Sequence, residues 1–163
     1  VWNNGEADAV PDGGRLVTPE WFFEDFPVGD TVVTMRRTIT EGDLGTFVGL
    51  AGFFEETFIS ANEETLFNRR FVPGCLTLSI AEGLYILTGR MRHGRALLGL
   101  TDLRLVAPVA CGDTIHARIT VELARRIKRP RHGIVTTSHT VVNEDGATVL
   151  TYRTTRMLET RGD

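Results

Sequence analysis

Two adjacent acids, Glu55 and Glu56, stand inside an aromatic run that reads Gly52-Phe53-Phe54-Glu55-Glu56-Thr57-Phe58. A carboxyl group enclosed by Phe53, Phe54 and Phe58 loses hydration, which disfavours its charged form and makes it a competent acid near neutral pH. A pair of ordinary solvent-facing glutamates is the plain alternative. The histidines lie far along the chain, at His93, His116, His132 and His139. His93 falls in an Arg-rich turn, and His116 and His139 fall among strand-like apolar neighbours, where a hydrogen-bonded or exposed ring is expected rather than a catalytic one. Cys75 and Cys111 have apolar surroundings and no metal-ligand spacing, so they read as small buried thiols; neither a metal nor a cofactor is expected. A basic cluster, Arg125, Arg126, Lys128, Arg129 and Arg131, is either a solvated strand end or a contact for a ligand phosphate.

The elements that must position these groups follow from periodicity. Residues 31–39 are rich in β-branched types and predict a first strand. Thr40 followed by Asp43 has capping-box spacing, and Leu44, Phe47, Val48 and Ala51 repeat at helical intervals, which predicts a helix over 41–51. Residues 53–72 form a long, partly helical loop over a pocket. Pro73-Gly74 then opens a helix whose stripe Leu76, Ile80, Leu84 and Leu87 is broadened by Cys75, Leu78 and Ala81, as expected of a helix inside the protein. Four strands follow, over 95–107, 112–127, 133–143 and 147–158, with Glu144-Asp145-Gly146 as a hairpin turn. A strand, two helices and four long antiparallel strands make an α+β order, in which a buried helix meets one curved sheet.

The 163 residues suit one domain with a sizeable core, and 42% hydrophobic with 24% charged residues is a globular balance. Residues 1–15 mix Gly, Pro, Asp and Asn without apolar period and are expected to be a flexible tail, leaving a single domain over 16–163. A net charge of -3 gives no reason to expect binding to nucleic acid. No apolar run reaches bilayer length and no basic-then-apolar leader opens the sequence, so a cytoplasmic protein is expected.

Several stretches together resemble the MaoC-like acyl-CoA dehydratases and hydratases. They are Phe23-Glu24-Asp25-Phe26-Pro27-Val28-Gly29-Asp30, Arg37-Thr38-Ile39-Thr40-Glu41-Gly42-Asp43, the Pro73-Gly74 helix start, Pro108-Val109 before Gly112-Asp113-Thr114, and Val142-Asn143-Glu144-Asp145-Gly146. The resemblance covers roughly residues 20 to 158 and implies a hot-dog fold, a sheet wrapped around one long helix, with units commonly paired into dimers. It implies an acyl thioester, on coenzyme A or an acyl carrier protein, as the bound partner, and addition or removal of water across the adjacent double bond as the reaction. It also implies that the Gly74 N–H faces the thioester oxygen.

In that family an Asp and a His on the loop after the first helix move the protons. Counted from the Thr40 helix, the Asp position is Phe53 and the His position Phe58; counted back from Gly74, the His position falls near Glu56, because this loop is about two residues shorter. Neither register supplies a His. Glu55 and Glu56 are the loop carboxylates nearest the missing pair. Glu55 is preferred because it lies nearer the loop start, where the family places its base. Phe53 and Phe58 then line a drier pocket, and Arg129 and Arg131 take the phosphates. A thioester-binding subunit without proton chemistry, perhaps in a heterodimer, and a thioesterase or lyase of another reaction are the competing readings; a homodimer or a pair of hot-dog units is expected because long strands leave an edge to cover.

Overall fold

The computed structural model describes residues 19–60, 69–128 and 130–162. After a 3-10 turn at Phe23–Asp25 come β1 (Thr31–Val33), β2 (Arg37–Thr38), α1 (Glu41–Ala51), α2 (Glu56–Ile59) and α3 (Gly74–Leu87). The four long strands are β3 (Gly94–Leu105), β4 (Thr114–Arg126), β5 (His132–Val142) and β6 (Thr148–Glu159). They form one antiparallel sheet in the order β1-β4-β5-β6-β3, with β2 added to β4. Residues 1–15 and Arg129 lie outside the described residues.

The sheet forms because its strands carry a period of two. In β5, Gly133, Val135, Thr137, His139 and Val141 are buried and alternate with half-exposed residues. The buried set meets α3, whose Leu76, Ile80 and Leu84 pack with Ile115, Ala117, Ile119, Val141 and Leu150. Burying each such aliphatic side chain stabilises the fold by roughly 1.5–3 kcal/mol, so this layer contact holds the helix to the sheet.

Local signals explain the boundaries. The Thr40 hydroxyl accepts the Asp43 N–H at 3.2 Å while the Asp43 carboxylate accepts the Thr40 N–H at 2.9 Å. Together they start α1 at the expected place, and Gly52 at φ 75° closes it. The strand expected over 31–39 is instead two pieces. Thr34 is buried between them, its hydroxyl accepting the Ala117 N–H at 2.9 Å and donating to the Met35 carbonyl, so a side chain replaces part of the ladder and bends the chain.

One expectation needs correction. Helix α3 buries Leu76, Thr77, Ile80, Ala81, Leu84 and Tyr85, as expected of a helix packed on the sheet, and leaves Cys75, Ser79, Ile86 and Leu87 exposed on its other side. Cys75 is therefore not a buried thiol, whereas Cys111 is half-buried and burial pushes its thiol up to about 11. Beside that bare helix face runs β3, an edge strand with Leu97, Leu98, Leu103 and Leu105 exposed and Val106 just beyond. Its ladder to β6 shifts register three times, and Asp102, at φ 53°, is held by Arg153 at 2.6 Å.

Candidate functional site around the N-terminus of α3

The lead-in to α3 is fastened to the strand before β4. The Cys111 N–H donates to the Arg70 carbonyl and the Val72 N–H to the Val109 carbonyl, each at 2.9 Å, with a bridge between Phe71 and Ala110. Pro73, in extended conformation, then delivers Gly74 as the first helical residue, and no side chain caps the turn. The Pro73 carbonyl already accepts from Leu76 and Thr77. Among the described residues no acceptor meets the N–H of Gly74 or Cys75, so two donors at the positive end of the helix stay available to an oxygen with developing negative charge. A Cβ on Gly74 would come within 2.5 Å of Leu105 Cδ1, so glycine is what lets Leu105 lie directly against the helix start.

The loop after α1 sorts its aromatic and acidic side chains apart. Phe53 packs on Phe47 (ring centroids 5.4 Å apart) and on Phe58 (6.2 Å), and Phe53 and Phe58 both rest against the core. Glu55 precedes α2 and its carbonyl accepts the Phe58 N–H at 2.9 Å; Glu56 is the first residue of α2. Both glutamates are exposed, as is Phe54. Among the described residues the apolar enclosure expected around a carboxyl group is thus absent, because Phe53 and Phe58 turn inward and Phe54 faces solvent. Arg70 ties this loop to the α3 lead-in, donating to the Phe58 carbonyl at 3.0 Å and pairing with Glu41 at 3.3 Å.

Arg131 does not join Gly74 within one chain. It lies exposed in the turn between β4 and β5, whereas Gly74 sits beside Leu105 at the other end of the sheet. The 13 residues of β4 separate the ends by about 40 Å. Strand length alone thus keeps Arg131 apart from the Gly74 of the same chain.

A polar cluster that the sequence reading passed over is buried between α3 and the sheet. Tyr152 donates to Glu82 at 2.8 Å, and Arg156 forms an ion pair with the other oxygen of Glu82. His139, 1% exposed, stacks on Tyr152 and shares its Nε2 with Thr137 (2.8 Å) and Thr154 (3.2 Å). Burial, helped by the Arg156 charge, pushes the His139 pKa down to about 3 and keeps the ring neutral. Burial likewise raises the phenol pKa of Tyr85, which meets His139 edge-on, to about 12. His139 Nδ1 and Arg156 Nε have no hydrogen-bond partner among the described residues. A glutamate on an otherwise apolar helix, and the inward alternation of residues 152, 154 and 156, were the available signals.

The MaoC like domain model matches residues 57–143, from α2 to the end of β5. The chain belongs to the MaoC like domain family. Within it, the chain is 39% identical over 101 residues to Protein MaoC of Klebsiella aerogenes, a match covering 61% of this chain and 30% of that protein's length. It is 28% identical over 102 residues to an (R)-specific enoyl-CoA hydratase of Rhodospirillum rubrum, covering 61% of this chain and 69% of that one. A monoamine oxidase regulatory protein of Archaeoglobus fulgidus superposes with a TM-score of 0.78 at 29% identity, over 86% of this chain and 95% of the other. A double hotdog-fold protein of Mycobacterium tuberculosis, 20% identical with a TM-score of 0.75 over 88% of this chain and 46% of that one, supports the fold alone. The MaoC-like domain described here is thus an α+β hot-dog fold. Among its described residues no helix is long and apolar enough to cross a membrane.

Proposed function

We propose that this chain, a single domain over residues 16–163, binds an acyl thioester carried on coenzyme A or an acyl carrier protein, and acts as a hydratase or dehydratase with a remodelled catalytic loop. The observation that carries the reading is the uncapped N-terminus of α3, where the N–H of Gly74 is free and the missing Cβ lets Leu105 lie on the helix start. In hydration, a carboxylate takes a proton from water as the water oxygen bonds to Cβ. The double-bond electrons move onto the thioester oxygen, which accepts from Gly74, and the carboxyl group then returns a proton to Cα. Glu55, or Glu56 in the shifted register, takes that part. Turnover of crotonyl-coenzyme A should fall about 10²–10⁴-fold in Glu55→Gln, with binding little changed. Full activity in both Glu55→Gln and Glu56→Gln excludes these carboxylates.

A second reading, thioester binding without proton chemistry, draws support from the packing of Phe53 and Phe58 and the exposure of both glutamates. Wild-type protein that binds a coenzyme A thioether but turns nothing over would select it. In either case two copies pair through β3. A two-fold pairing of edge strands is antiparallel, so it carries the Arg131 end of one copy toward the Gly74 end of the other, where coenzyme A phosphates extend. The expected setting is the cytoplasm.

A further inference from the structure

The outer face of the sheet, turned away from α3, carries a row of side chains that the thioester reading does not use. Register places Arg118 of β4 opposite Thr140 of β5, Thr140 opposite Thr151 of β6, and Thr151 opposite Arg104 of β3. The residues flanking them on β4, β5 and β6 (Ala117, Ile119, His139, Val141, Leu150 and Tyr152) are buried, and Leu105 next to Arg104 turns inward onto Gly74, so all four point outward. Strands lie about 4.8 Å apart, which sets the point between the two threonines about 7 Å from each arginine Cα, within reach of both guanidinium groups. Among the described residues neither Arg104 nor Arg118 has an acid partner, whereas Arg153 in the next row is held by Asp102 and Glu122. The two threonines are likewise unengaged. Thr31 with Thr120, Thr38 with Thr114, and Thr136 with Thr155 close on each other at 2.9, 2.8 and 3.1 Å, but among the described residues no hydrogen bond takes up the hydroxyl of Thr140 or Thr151.

Shape and charge both mark this row out. Between Thr101 and Arg104 the ladder of β3 to β6 takes in one extra residue, and beside that bulge lies an open depression of about 260 Å³ lined by Arg104, Ser138, Thr140, Thr151 and Arg153. Asp102 lines it too, with its carboxylate engaged by Arg153. Positive charge gathers at the β4 end as well: burial, and then the charges of Arg36 and Arg118, lower the pKa of His116 on the same face. Hydroxyl groups beneath and guanidinium groups on either side offer donors from three directions, which suits a tetrahedral oxyanion better than a planar carboxylate. We propose that the outer face of the sheet binds a phosphate group, held by Arg104 and Arg118 over the hydroxyls of Thr140 and Thr151. This site lies on the side of the sheet opposite α3 and does not depend on the thioester reading.

The test is calorimetric titration of the full chain, at low salt in a phosphate-free buffer, with inorganic phosphate, adenosine 3′,5′-bisphosphate and a tetraglutamate peptide. Inorganic phosphate should bind the wild type, and should bind Arg104→Gln/Arg118→Gln about tenfold or more weakly, because two charge-assisted contacts are gone. Thr140→Val/Thr151→Val keeps the charges and the branched shape and should weaken binding about threefold or more. None of the four side chains belongs to the core, so both variants should melt close to the wild type. Tighter binding of the bisphosphate than of phosphate, with the same loss in the arginine variant, supports the site and assigns it to a nucleotide; binding no tighter supports the site and assigns it to a simple phosphate ester. Tetraglutamate bound as tightly as phosphate overturns the proposal in favour of an acidic protein surface. Undiminished phosphate affinity in either variant, or no binding to the wild type, overturns it outright and leaves the Gly74 site standing.

Discussion

Replacing Gly74 by proline removes one of the two free donors at the start of α3, the one to which the thioester oxygen is assigned. Proline is favoured at the first position of a helix, where its missing N–H breaks no helical hydrogen bond. The preceding residue, Pro73 at φ -55° and ψ 138°, already has the extended conformation that a following proline demands. The new Cβ does meet the Leu105 side chain, so Gly74→Ala is the control: it makes the same encounter and keeps the N–H. Leu105 is 62% exposed and can swing aside, so both variants should melt within a few degrees of the wild type. Losing a single oxyanion donor costs about 10²–10³-fold in turnover, or about 2.7–4 kcal/mol. If the domain only binds, the loss is that of one neutral hydrogen bond, about 0.5–1.5 kcal/mol. Steady-state rates on crotonyl-coenzyme A and titration with S-octyl-coenzyme A separate these cases. Equal rates and affinities for Gly74→Pro and Gly74→Ala would refute the assignment of this N–H.

The buried ion pair should behave asymmetrically in urea unfolding. Arg156→Met alone strands the Glu82 charge and should cost about 3–5 kcal/mol, whereas Glu82→Leu/Arg156→Met should recover most of it; equal losses would show that the pair is not effectively buried. His139 takes up a proton in the unfolded chain near its ordinary value of 6.5 but in the fold only near 3. Its stabilising effect is therefore complete above pH 6.5 and lost as the pH falls toward 3, and His139→Gln should flatten that limb of a plot of Tm against pH. An unchanged limb would mean that other groups set it. Glutamates at both Leu98 and Leu103 should turn the expected dimer into a monomer in light scattering, and a dimer that survives them pairs through another surface.

Much of the frame was legible because local signals agreed with the global ones. The Thr40 and Asp43 box, Gly52 and the period of α1 all point to one helix, and Pro73-Gly74 marks α3 to the residue. Strand 31–39 was misread because β-branched composition cannot reveal that Thr34 turns its own hydroxyl into the ladder. The loop was harder still: Phe53 and Phe58 pack inward while Glu55 and Glu56 face out, and four residues of α2 carry too little period to tell which set wins. The distance of Arg131 from Gly74 was, by contrast, readable from the lengths of the strands. The Glu82, His139, Tyr152 and Arg156 cluster joins α3 to the distant β5–β6 hairpin, so only their folding together makes it visible.

The irregular edge of β3 also bears on what the protein avoids. An even strand with exposed leucines would invite any extended peptide to extend the sheet, and stacking without end follows from such contacts. Breaks in the ladder between Gly94 and Ala96, Leu97 and Gly99, and Thr101 and Arg104, the last clamped by Arg153 on Asp102, leave no long run of evenly spaced donors and acceptors. The outer breaks lie at similar distances on either side of Gly99, so a copy turned by a two-fold axis through that point presents matching bends, whereas a straight foreign strand does not. For the dimer proposed above, such bends would act as a filter on assembly, fitting one self-complementary partner and closing the association at two.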